Sequence, residues 1–156
     1  VRYSLADRHI EDDLLPTARE LGVGIVAFGV LLSGLIGGSS QEEKLKSIGQ
    51  RISPEALATM KANLARTNAL KQIAVEKGAT LTQLAIAWVL AQGEDIIALV
   101  GSRTASQIKD TIQALNVKLT KEDLDRINRI MPKEEATSSY MLDVDIDSKG
   151  LFHAKQ

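Results

Sequence analysis

The feature that most restricts the fold is a pair of short, uninterrupted apolar runs, each ending in glycine. Ile25-Val26-Ala27-Phe28 runs into Gly29, and IIALV at 96–100 runs into Gly101. Neither alternates with polar residues, as a strand with one wet face would. Such runs fit parallel strands covered on both faces. Helical patterns separate them, and strands alternating with helices indicate an α/β chain built on a parallel sheet. Val1-Arg2-Tyr3-Ser4-Leu5 reads as a third strand. The expectation is therefore about three parallel strands with surrounding helices. Three strands alone leave both sheet edges open, and a chain that starts inside a strand reads as a fragment.

The connecting segments carry helix signals. Ile10, Leu14, Ala18 and Leu21 share one face of a helix expected over 11–21 and ended by Gly22 and Gly24. Ser53-Pro54 opens a helix expected to reach Lys77 and stop at Gly78. Thr80 and Gln83 have the capping-box spacing. Leu81, Leu84, Ala85, Trp88 and Val89 then form an apolar face, on which Trp88 reads as core. Helices are expected over 104–115 and, from the Thr120 cap, over 121–130, stopped by Pro132. Residues 29–51 form a long glycine-containing connection, with a short helix expected near 42–48. A connection this long is often functional. Residues 1–132 read as one unit and 133–156 as an irregular tail.

Composition narrows the function classes. The chain has 156 residues and no cysteine, which excludes disulfides, thiolate metal sites and cysteine nucleophiles. A formal net charge of −1 gives no reason to expect nucleic acid or an anionic membrane as partner. No stretch has the roughly 18 consecutive apolar residues of a membrane span. Cytoplasm is the expected compartment. The two histidines, His9 and His153, are not at metal-ligand spacing, and no metal site is expected.

Two strand ends carry candidate chemistry. At the first, Gly101-Ser102-Arg103 lies between a strand and a helix. Glycine allows close backbone approach, the helix start offers free amides and a positive dipole end, Ser102 can donate, and Arg103 can grip a phosphate with two parallel donors. Gln107, one turn on, and Asp110 and Thr111, a turn beyond, could face an adenine or ribose. The same residues also read as a plain turn, a Thr104 helix cap and a solvated arginine. At the second, Phe28 could stack on a flat ring, with Leu31 and Ser33 offering donors to a pyrophosphate. Taken alone, that stretch reads more simply as a core phenylalanine before a small-residue loop.

Three stretches carry a family likeness. YSLADRHIEDDLLPTARELGVGIVAF, then LLSG, then LAIAWVLAQGEDIIALVGSR resemble the C-terminal half of aldo-keto reductases. The resemblance extends to about Pro132. It implies the C-terminal part of a (β/α)8 TIM barrel, a fold of about 250 residues when whole. It implies an oxidoreductase that moves a hydride between NADPH and an aldehyde or ketone. By position, Phe28 matches the nicotinamide-stacking aromatic, Leu31 and Ser33 match pyrophosphate contacts, and Ser102 and Arg103, beside Gly101, match contacts to the 2′-phosphate. Gln107, Asp110 and Thr111 match the adenine end.

The chain departs from the family at two places. The family's tyrosine-serine-proline-leucine stands here as Phe28-Gly29-Val30-Leu31. The family's catalytic tetrad belongs to strands before Val1, so no catalytic residue is expected here, and the chain alone is expected to lack activity. NADP is the expected cofactor, with a small carbonyl compound as substrate of the intact enzyme. The alternative is a non-catalytic half-barrel that binds nucleotide and self-associates through its open sheet edges.

Overall fold

A computed structural model describes residues 1–37, 41–50, 52–135, 144–146 and 152–154. Strand β1 (Ile25–Ala27) pairs in parallel with β2 (Ile96–Ala98), with Ile25, Val26 and Ala27 opposite Ile96, Ile97 and Ala98. The third expected strand reduces to a single parallel bridge, Arg2 to Phe28. Phe28 N donates to Val1 O at 2.9 Å and Tyr3 N to Phe28 O at 3.1 Å. The chain then turns at Ser4 and Asp7, which bridge each other antiparallel and end the pairing.

The sheet is covered on one face only among the described residues. Ile25, Ala27 and Ile96 are buried, whereas Val26 is 50% and Ile97 65% exposed. The expectation of strands covered on both faces is corrected. Helices cover the first face, and the second is left largely open among the described residues.

Helix α1 (Leu14–Glu20) starts later than its apolar pattern suggests. The Asp13 side chain accepts from Leu14 N, and residues 9–11 form a 3-10 turn instead. Helix α2 (Gln41–Gly49) fills the middle of the long connection. The helix expected to reach Lys77 breaks at Leu70 into α3 (Pro54–Ala69) and α4 (Lys71–Glu76). The buried Thr67 hydroxyl donates to Asn63 O at 2.7 Å, and Leu70 N turns back to Thr67 O. Gly78, at φ +62°, lets Ala79 N close back on Ala74 O and stops α4.

Helix α5 (Leu81–Leu90) is the buried centre. Its Thr80–Gln83 capping box is formed, and Trp88 is fully buried with the Tyr3 ring 5.5 Å away and the Arg8 guanidinium 5.0 Å above its own ring. Helices α6 (Ala105–Ile112) and α7 (Lys121–Ile130) follow, capped by Thr104 and Thr120. In the segment read as an irregular tail, residues 133–135 form a 3-10 turn, and β3 (Val144–Ile146) pairs antiparallel with β4 (Phe152–Ala154). Among the described residues, no single helix is long and apolar enough to cross a membrane.

Candidate functional site

A cleft of about 540 Å³ opens where the loops leave β1 and β2. Of the residues singled out in the sequence, Leu31, Gly101, Ser102, Arg103, Gln107, Asp110 and Thr111 line it. Strand β2 delivers Gly101 to Arg103 at its end, and the first two turns of α6 deliver the other three polar residues. Phe28 is not in the lining. It is 44% exposed, on the open side of the sheet with Val26, and the Arg2 guanidinium sits 5.8 Å from its ring. Ser33 lies in the 3-10 turn Leu32–Gly34.

The site's donors and acceptors are partly committed. Arg103 N donates to Gln107 Oε1 at 2.7 Å, and Gln107 N donates to Thr104 Oγ1 at 3.2 Å. The Nε2 group of Gln107 has no partner among the described residues and is open to a ligand. The Thr111 hydroxyl donates back to Gln107 O, so toward a ligand it can only accept. Asp110 Oδ1 accepts from Gln83 Nε2 at 2.7 Å. Ser102 and Arg103 are exposed, and the Arg103 guanidinium has no ion-pair partner among the described residues.

Gly101 is informative for what it lacks. Its φ is outside the left-handed region, and a Cβ built there meets nothing within 4 Å. The fold makes no demand for glycine at this position, so an added side chain would simply occupy the cleft. An open glycine beside an unpaired guanidinium and a helix start fits a bound phosphate.

Gly29, Val30 and Gly34, from the stretch singled out after β1, also line the cleft. Sequence reading missed the rest of the wall, formed by Ile36, Gly37, Thr82, Leu99 and Val100. The loop after β1 folds back on the start of α5, where Gly37 lies against the Thr82 side chain. Only the run of glycines in that loop hinted at this, and nothing local links it to Thr82.

Apart from Asp110, the cleft lining holds no acid–base side chain of Tyr, His, Asp or Glu. Tyr3 is fully buried, and its hydroxyl donates to Glu11 Oε1 at 2.7 Å. Burial, reinforced by Glu11, raises its pKa far above the ordinary tyrosine value. That residue is a packing element, set against Trp88 in the core. His9 Nδ1 contacts Asp7 Oδ1 at 2.5 Å, a local interaction. Among the described residues no cluster of three or more His, Asp or Glu could hold a metal ion.

Comparison with known proteins gives a consistent picture. The model of the Aldo/keto reductase family matches residues 1–132. The chain is 38% identical over 132 residues to an uncharacterised oxidoreductase, YrpG, of Bacillus subtilis (strain 168), covering 84% of this chain and 39% of that protein. It is 36% identical over 137 residues to probable aldo-keto reductase 1 of Glycine max, covering 85% and 39%. A crystal structure of an aldo-keto reductase from Klebsiella pneumoniae in complex with NADPH superposes with a TM-score of 0.60 at 23% identity, covering 85% of this chain and 38% of that one. The chain thus spans about two fifths of the length of these relatives, and its α/β architecture is that of part of a barrel.

Proposed function

The chain belongs to the aldo/keto reductase family over residues 1–132, and from that premise we propose that it is the NADP-holding part of a reductase acting on aldehydes or ketones. The observation that carries this reading is the end of β2, where the open Gly101 and the unpaired Arg103 stand at the mouth of the cleft. In this reading Ser102 and Arg103 bind the 2′-phosphate, Gln107, Asp110 and Thr111 face the adenine end, and Leu31 and Ser33 lie along the pyrophosphate. Phe28, on the open sheet face, takes the nicotinamide. When bound, NADPH supplies the hydride. The groups that move the proton lie outside this chain, so the chain alone is not competent. A cytoplasmic setting belongs to the same proposal.

The altered motif after β1 has a structural counterpart. Gly29 adopts φ +75°, a conformation that a serine at this position would strain to reach. The loop therefore reaches the cleft along a path that suits glycine, without the hydroxyl of the family motif.

Titration of the chain with NADPH and NADH tests the proposal. NADPH should bind more tightly, and Arg103→Ala should cut that preference by a factor of about ten to one hundred. That range corresponds to one charge-assisted contact of ~1.5–3 kcal/mol. The melting temperature should not move. Absence of binding to either nucleotide would refute the reading.

A second reading rests on the open sheet face, where Val26 is 50%, Ile97 65% and Leu99 59% exposed. Apolar side chains in this arrangement suit burial against a second copy of the chain. Light scattering of the purified chain separates the two readings, since a dimer mass favours self-association and a stable monomer excludes it.

A further inference from the structure

Gln83 does not line the cleft, yet it holds a residue that does. It is 8% exposed in the first turn of α5, and both ends of its amide are engaged. Its Oε1 accepts from Thr80 N at 3.0 Å, completing the capping box. That bond fixes the polarity of the amide, so Nε2 must face α6. There it donates to Asp110 Oδ1 at 2.7 Å and to Asp110 O at 3.1 Å. The cap of α5 needs only the oxygen, which a glutamate would supply equally well. The donation to Asp110 is a separate interaction across 27 residues of sequence.

Its effect is on the cleft. With Oδ1 occupied, Asp110 Oδ2 has no partner among the described residues, and Asp110 is the one carboxylate in the cleft lining. A carboxylate oxygen accepts only, so the group opposite it on a ligand must donate. We infer that Gln83 is a positioning residue, holding Asp110 so that its free oxygen meets a donor on the base of the bound nucleotide and selects an amino-purine over an oxo-purine. This rests on the reading of the cleft as an NADP site.

The test is titration of the full chain with NADP+ and with its deamino analogue, in which a carbonyl replaces the exocyclic amine. The unaltered chain should favour NADP+ by about tenfold, the worth of one net hydrogen bond. Gln83→Glu keeps the acceptor for Thr80 N but sets a carboxylate against Asp110, and should bring the ratio close to one. Adding Asp110→Asn lets the amide at position 110 donate to the introduced carboxylate and turn its own oxygen to the cleft, so the ratio should rise again in the double variant. A purely structural tie between α5 and α6 would shift the melting temperature and leave the ratio alone. An unchanged ratio in Gln83→Glu therefore overturns the inference. Should that single variant fail to fold, the double variant decides, with a ratio well above one in support and a ratio of one against. Equal binding of both analogues by the unaltered chain overturns the inference while the NADP reading stands. Binding of neither removes that reading and this inference together.

Discussion

The loops that leave β1 and β2 look alike in sequence and differ in what holds them. Both follow an apolar run, and both begin with or soon reach a glycine. After β1, the fold uses its glycines. Gly29, Gly34 and Gly37 take φ of +75°, +80° and +75°, and even the buried Leu32 is drawn to φ +49°. A Cβ on Gly29 would lie 3.0 Å from the Arg2 side chain, and one on Gly37 would collide with Thr82 Oγ1. Gln41 Nε2 adds a bond to Leu35 O at 2.8 Å. After β2, Gly101 meets none of these demands. A glycine kept by its own backbone and a glycine left open to a ligand are the same letter. Only the surrounding geometry separates them.

The largest expected effect comes from forcing the first loop. Gly37→Ala places a side chain in the left-handed region, at about 1–2 kcal/mol, and drives it into Thr82, at a further ~1–3 kcal/mol. Together these should lower stability by roughly 2–5 kcal/mol in thermal or urea unfolding. Thr82→Ala in the same chain should return the contact part and leave the backbone part, which measures the two separately. A loss below about 1 kcal/mol in the single variant would mean that this loop is as loosely held as the other.

The second loop should respond in the opposite manner. Gly101→Ala should leave stability within ~0.5 kcal/mol of the parent, or raise it slightly by restricting the unfolded chain. Binding of NADP+ should weaken by about tenfold, because the added methyl group stands where the phosphate approaches. If this variant melted as early as Gly37→Ala, the contrast between the loops would collapse, and with it the case for an open phosphate site.

What could be read in advance was local. Ser53 with Pro54, Thr80 with Gln83, and Thr120 each cap a helix through partners within three residues, so spacing was enough to find them. That the two strand ends lie side by side was legible because a parallel strand delivers its loop to one side of the sheet. Gly101, Ser102, Arg103, Gln107, Asp110 and Thr111 do share one cleft with Leu31. Long-range features were hidden. The far wall depends on Gly37 reaching Thr82, and the second use of Gln83 depends on α6 lying beside α5. The apolar runs suggested cover on both sides of the sheet, which the described chain supplies on one side only. That mismatch accords with a chain spanning two fifths of its relatives' length.

The smallest effect lies in the frame beneath both loops, and it is a pH effect. Asp123, in the first turn of α7, is pushed upward by burial. The Lys77 ammonium and the Thr120 backbone and hydroxyl groups outweigh that push, so its carboxyl sits below the ordinary aspartate value. A depressed carboxyl contributes its stability above the ordinary pKa and loses it as pH falls through the folded value. The melting temperature of the parent should therefore decline below about pH 4. Asp123→Asn cannot gain this proton, so its decline over the same window should be shallower. Glu76 and Asp95, whose carboxyls are lowered by Arg126 and Arg19, leave a residual slope. Gly101→Ala should keep the parent's full acid slope, because its loop touches none of these pairs. A slope unchanged by Asp123→Asn would assign the acid sensitivity to the arginine pairs instead.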